Sequence, residues 1–140
     1  MKGDLTFTII KPNVTKKNKV GEVIKLIEEG GFEIVAMEMI QLSAERASEF
    51  YKEHKEKVFF KPLIEFMVSG KSVVIALKKE NAVDDFRQFI GSTNPKDARV
   101  GSIRRLYGES VTVNAIHGSD SIDSAEREIK FFFKTWNDLC

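Results

Sequence analysis

The chain has a single cysteine, Cys140, at its last position, so no intrachain disulfide and no cysteine-based metal centre is open to it. It has no apolar run approaching 18 residues, which argues against a membrane-spanning helix. The opening stretch, MKGDLTFTIIK, lacks the long apolar segment of a secretory leader. Charge of one sign is missing too: 22 Lys and Arg stand against 21 Asp and Glu, for a net charge of +1. No bulk field draws the chain to nucleic acid or an anionic membrane, and neither is expected as a partner. Several enzyme signatures are absent, with no HExxH, GxSxG or GxGxxG. Gly70-Lys71-Ser72 imitates the end of a P-loop, but the glycine needed five residues earlier is Glu65. That stretch also leads from a helix into a strand, the reverse of a P-loop. Asn13-Val14-Thr15 matches a glycosylation sequon and is read as coincidence in a reduced, cytoplasmic protein. What remains is an ordinary globular composition, 42% hydrophobic and 31% charged, expected to form one domain over residues 1–140.

Within that domain, hydrophobic periodicity lays out the elements. LTFTII (Leu5 to Ile10) is β-branched and aromatic and predicts a buried strand, ended by Lys11-Pro12-Asn13. Val20, Val23, Ile24 and Ile27 predict a helix stopped by Gly30-Gly31. FEIVAMEMIQL (Phe32 to Leu42) predicts a second strand, and Ser43 an N-cap for a helix to about Tyr51. Phe59 to Val68 predicts another helix, SVVIAL (Ser72 to Leu77) a third, doubly buried strand, and Ala82 to Ile90 a helix. Gly91 to Gly108 has weak periodicity and holds Arg99, Arg104 and Arg105, with Arg87 just before it, which predicts a functional loop. Val111 to His117 alternates and predicts a fourth strand; Ser121 to about Phe133 closes as a helix. The order suits an α/β (α+β) fold of the ferredoxin-like βαββαβ kind, a four-stranded antiparallel sheet with helices packed on it. A doubly wound parallel sheet is the competitor.

Local sequence offers few candidates for chemistry. His54 lies in the charged run HKEK and reads as a solvated surface residue. His117, in NAIHGSDS at the junction of two elements, is open between a structural and a reactive role. Lys11 follows a buried strand directly, which projects its amine from the sheet's end. Arg87, Thr93 and Arg104 read singly as surface residues. Gathered in one cleft with Lys11, they would suit a polyphosphate, whose charge needs forked donors and a point cation.

The longer blocks decide between these readings. IIKPN (Ile9 to Asn13), FYKEH, VFFKPLIEFMVSG, TNP (Thr93 to Pro95), GSIR (Gly101 to Arg104) and NAIHGSDS together resemble the nucleoside diphosphate kinase family, in its order and over about Thr6 to Phe133. The resemblance implies ping-pong transfer of a γ-phosphoryl group from ATP or another nucleoside triphosphate to a nucleoside diphosphate, with Mg2+ held mainly by the nucleotide's phosphates. His117 matches the nucleophile that becomes phosphohistidine, and a neutral imidazole is a competent nucleophile near pH 7. Glu128 matches the residue that accepts a hydrogen bond from the imidazole's other nitrogen, helped by Ser119, and Tyr51 one that orients the ring. Lys11, Arg87, Thr93 and Arg104 match phosphate contacts, and Asn114 the sugar contact. Phe59 and Val111, with Leu63 beside them, match apolar jaws on the base. Stacking reads no base edge, so purines and pyrimidines are both accepted.

In NAIHGSDS, Gly118 is expected to make the turn that exposes the histidine, and Asp120-Ser121 to start the last helix. The chain departs from common family residues at Val58, Lys71, Val100 and Arg105-Leu106. A homo-oligomer is implied, and the chain's end at Cys140 leaves tetramer and hexamer both open. The alternative function is a non-catalytic nucleotide- or nucleic-acid-binding regulatory module using the same pocket.

Overall fold

The structure is a computed structural model that describes residues 2–134; Cys140 lies outside the described residues. The elements run β1 (Leu5–Ile10), α1 (Pro12–Lys16), α2 (Val20–Glu29), β2 (Glu33–Ile40), α3 (Ala44–Phe50), α4 (Phe60–Met67), β3 (Ser72–Lys78), α5 (Ala82–Ile90), α6 (Ile103–Tyr107), β4 (Ile116–Gly118) and α7 (Ile122–Phe132). Single 3-10 turns lie at Lys2–Asp4, Lys52–His54 and Pro95–Asp97. Among the described residues, no helix is long and apolar enough to cross a membrane.

The sheet has the order β2-β3-β1-β4 and every pairing is antiparallel, the ferredoxin-like arrangement. The parallel competitor is excluded. β1 and β3 are central, and helices cover both faces, so every residue of β1 and of β3 through Leu77 is buried, Thr6 and Thr8 included. On one face Phe7, Ile9, Val74 and Ala76 pack with Phe50, Leu63, Met67 and Ile129 from α3, α4 and α7. On the other, Ile10, Ile75 and Leu77 pack with Val23, Ile27, Phe86 and Ile90 from α2 and α5. β2 is an edge strand, with Met37 and Met39 exposed. Three helices begin at serines whose hydroxyls accept a backbone N–H: Ser43 from Arg46, Ser102 from Arg105, and Ser121 from Ser124.

Four details differ from the pattern expected. Pro12 ends β1 but also opens α1, because its missing N–H and fixed φ suit the first turn of a helix. Asn13, the sequon residue, is buried there and donates to the Tyr107 carbonyl, which closes it to glycosylation. The segment from Gly91 to Gly108 is not all loop, since Ser102 caps the short α6. The fourth strand covers only Ile116–Gly118, not Val111 to His117. Val113 accepts from the backbone N–H of Glu109 and Ser110 in a turn, and Ala115 has φ +79°, a left-handed conformation that cannot continue a strand. Gly118 is correspondingly a strand residue paired with Thr8 and makes no turn. A Cβ there would stand 3.0 Å from Ile90, so glycine serves the close packing of β4 on α5.

Candidate active site

β1 and β4 bring the candidate residues together. His117 is opposite Ile9 in the β1–β4 ladder, and the Lys11 N–H donates to the Ala115 carbonyl at 2.8 Å. The strained Ala115 thus has its carbonyl held at the end of β1, immediately before the histidine. The imidazole meets the rings of Phe50, Phe7 and Tyr51 edge-on at 5.5, 6.1 and 6.3 Å, which locks its plane.

Its Nε2 lies 2.8 Å from Glu128 Oε1. A carboxylate only accepts, so Nε2 carries the proton, and Nδ1 keeps its lone pair. Glu128 comes from α7 and is buried, and the same oxygen accepts from Ser119 Oγ at 2.7 Å. Arg127 Nη2 stands 3.7 Å from its other oxygen and 3.2 Å from Glu53. Two hydrogen bonds and a nearby guanidinium keep this buried carboxylate compensated.

A cavity of about 370 Å³ opens over the imidazole, lined among others by Lys11, Tyr51, Phe59, Leu63, Arg87, Thr93, Val111, Asn114 and Glu128. Phe59 and Val111 stand exposed beside the more buried Leu63, an apolar mouth above a polar floor. On that floor Lys11 Nζ donates to Asn114 Oδ1 at 2.9 Å, and Asn114 Nδ2 donates to the Thr93 carbonyl at 3.2 Å. Burial, reinforced by the repulsion of Arg104, pulls the Lys11 amine down to about 7. Burial likewise pushes the Tyr51 phenol up, so it stays protonated, and its hydroxyl has no hydrogen-bond partner among the described residues.

Two candidates sit otherwise than a single cleft would have them. Arg104 lines an adjoining cavity of about 650 Å³ that shares Arg87, Thr93 and Gly118 with the first. Its Nη1 donates to the Gly91 carbonyl and its Nη2 to the Ile116 carbonyl, at 3.0 and 2.9 Å. Burial, then the charge of Arg87, lowers it to about 10, so it stays cationic at neutral pH. Ser119 is on neither wall and reaches the imidazole only through Glu128.

Sequence reasoning missed His54, which is no solvated surface residue. It lines the cavity, its ring 5.4 Å from Phe59 and 6.5 Å from Tyr51. Its place three residues after Tyr51 was the available signal, masked by the charges around it. Arg127 and Asp120 on the same wall were also missed. Asp120 is held ionised first by the Ser124 hydroxyl and further by Arg87.

Residues 4–137 match the family model described as nucleoside diphosphate kinase. Among curated relatives, the nucleoside diphosphate kinase of Chlamydia trachomatis serovar D is 51% identical over 128 residues, 91% of each chain. That of Campylobacter jejuni subsp. jejuni is 49% identical over 135 residues, 96% of this chain and 98% of the relative. A solved structure of the Aquifex aeolicus nucleoside diphosphate kinase superposes with a TM-score of 0.89 at 41% identity, covering 93% of this chain and 94% of that one. The Encephalitozoon cuniculi nucleoside diphosphate kinase superposes with the same score at 35% identity, over 93% of this chain and 88% of that one.

Proposed function

Since this chain belongs to the nucleoside diphosphate kinase family, we propose that it moves the γ-phosphoryl group of ATP, or another nucleoside triphosphate, to a nucleoside diphosphate through phosphohistidine on His117. The observation that carries this reading is the 2.8 Å contact between His117 Nε2 and Glu128 Oε1. It makes Nδ1 the attacking nitrogen. In the first half-reaction the Nδ1 lone pair forms a bond to the γ-phosphorus and the nucleoside diphosphate leaves. The imidazole becomes cationic, and the Glu128 carboxylate balances that charge. A second nucleoside diphosphate then takes the group by the reverse path. Little covalent work falls to the protein beyond this, so rate rests on positioning and on cations matched to the transferring oxygens.

In this reading Lys11, Arg87, Thr93 and Arg104 hold phosphates, and Asn114 holds the sugar. Phe59, Leu63 and Val111 clasp the base without reading its edge, which gives broad base specificity. Tyr51 orients the imidazole, and Ser119 acts through Glu128. Arg104 has a second task, since its grip on the Ile116 carbonyl fixes the backbone just before the nucleophile.

Among the described residues no three His, Cys, Asp or Glu side chains gather to hold a metal. Glu53 and Glu128 are engaged with Arg127, which leaves Asp120 as the wall carboxylate for a hydrated ion. That donor set fits Mg2+ that would be carried mainly by the nucleotide's phosphates, where it would neutralise charge on their oxygens. We read residues 1–140 as one domain of a cytoplasmic homo-oligomer, a tetramer or hexamer. Exposed Met37 and Met39 on the edge strand, exposed Val100 ahead of α6 and exposed Leu106 on it support association.

The non-catalytic alternative is not favoured, because binding alone has no use for an imidazole whose tautomer is held by a buried carboxylate. The test is incubation with γ-labelled ATP followed by dTDP. The label is expected on His117, acid-labile and alkali-stable, and then on dTDP, with His117→Gln losing about 10⁴-fold or more. ATP binding without labelling or exchange would make the protein a binder only.

A further inference from the structure

Among the described residues, Lys11 is a buried lysine with no counter-ion. Its one side-chain partner is the Asn114 amide oxygen, and the charge closest in effect is the repelling Arg104. None of the carboxylates on the same cavity wall pairs with Lys11 among the described residues: Glu128 meets His117, Ser119 and Arg127, Glu53 meets Arg127, and Asp120 accepts from the Ser124 hydroxyl and faces Arg87. An amine donating one N–H to a neutral oxygen keeps a lone pair when it is unprotonated. Burial without an anion favours that neutral form. Beside it, Arg87 forms no hydrogen bond or ion pair among the described residues, and it shares the wall with Thr93 and His117. The cavity therefore combines a nucleophilic amine with a cation suited to phosphate.

We propose that Lys11 is an acylation site for small acyl phosphates, which enter the cavity by their phosphate group and shut out nucleotide. The inference rests on the reading of this cavity as a polyphosphate site. In the step, Lys11 Nζ attacks the acyl carbon and an N–C bond forms. The C–O bond to phosphate breaks, inorganic phosphate departs, and the proton lost by the amine leaves with it. The products are an amide on Lys11 and hydrogen phosphate, with no other reactant. Arg87 holds the phosphate as it enters and as it leaves. The amide cannot take up a proton, so the modified pocket loses the cation that Lys11 becomes when a phosphate binds beside it.

The test uses the full-length protein with acetyl phosphate at pH 7.5, each lysine followed by peptide mass spectrometry and ADP binding measured separately by calorimetry. Lys11 is expected to be acetylated about tenfold or more faster than exposed Lys25 and Lys61, with a rate that levels off above about pH 7. An ordinary lysine keeps gaining reactivity up to about pH 10. Saturating ADP is expected to protect Lys11 alone, and phosphotransfer to fall in step with its acetylation. Lys11 reacting no faster than Lys25 and Lys61 overturns the proposal, as does ADP that binds yet leaves the Lys11 rate unchanged. If calorimetry detects no ADP binding, the nucleotide reading of the pocket fails, and the ratio of Lys11 to Lys25 still decides the acylation.

Discussion

In the central sheet, every residue from Leu5 to Ile10 and from Ser72 to Leu77 is buried, and apolar side chains fill both faces. Between α5 and β4, the chain from Gly91 to Ala115 buries only Pro95, Ala98, Ser102, Ile103, Asn114 and Ala115. What orders that segment is guanidinium on backbone carbonyl. Arg99 donates to Gln88 and Phe89 at the end of α5, Arg104 to Gly91 and Ile116, and Arg105 to Lys96 and Ala98. Charge-assisted bonds of this kind fix direction, whereas apolar burial fixes only proximity. The sheet thus supplies stability, and the arginine-tied segment supplies the aim of the site it borders.

That division can be broken from either side. Arg104→Ala frees the Gly91 and Ile116 carbonyls, and kcat/KM is expected to fall about a hundredfold or more, with Arg104→Lys a poor rescue. Ile75→Ala, in the core of β3, should do the opposite. Denaturant unfolding should show a loss of roughly 2–5 kcal/mol, while kcat per folded molecule stays within about twofold. If the two variants lose activity and stability in the same proportion, the division is wrong. Glu128→Gln keeps the shape of the imidazole's partner but not its charge. It should cost roughly ten- to hundredfold in kcat with KM little changed, in steady-state assays against ADP.

The pH response follows from Lys11. Folding lowers its pKa from 10.5 to about 7, so the unfolded chain binds the extra proton between those values. Stability therefore rises with pH from about 7 to 10.5, and the penalty is fully present below 7. Thermal melts across that range should show a shallower rise for Lys11→Met than for the wild type. The smallest effect is expected of Ala115→Gly. Relief of its positive φ should raise stability by about 1 kcal/mol, while the freer backbone lowers kcat by about threefold.

The same two regions differ in how far sequence discloses them. β1 was bounded correctly because LTFTII ends at a proline, and α5 because Val83, Phe86 and Ile90 recur at helical spacing. Periodicity records burial, and burial is what holds those elements. It records nothing of a guanidinium bonded to a carbonyl, so α6 passed as loop and the fourth strand was drawn through Ala115, whose backbone turns left-handed. For the candidate site, motif order singled out His117, Glu128, Lys11 and Asn114, and the fold pairs His117 with Glu128 and Lys11 with Asn114. His54 escaped because its ring contacts to Tyr51 and Phe59 come from a 3-10 turn that no apolar spacing announces. The departures at Val58, Lys71, Val100 and Leu106 fall on exposed positions, and Arg105 ties its own loop, so none reaches the imidazole.

The most direct test of the aimed imidazole is the position of the phosphoryl group on it. Protein labelled with ¹⁵N-histidine and treated with ATP should show phosphorus bonded to Nδ1 of His117 by ³¹P–¹⁵N coupling, because Glu128 holds Nε2–H. Phosphorus on Nε2, or on no histidine at all while ATP is turned over, would contradict it.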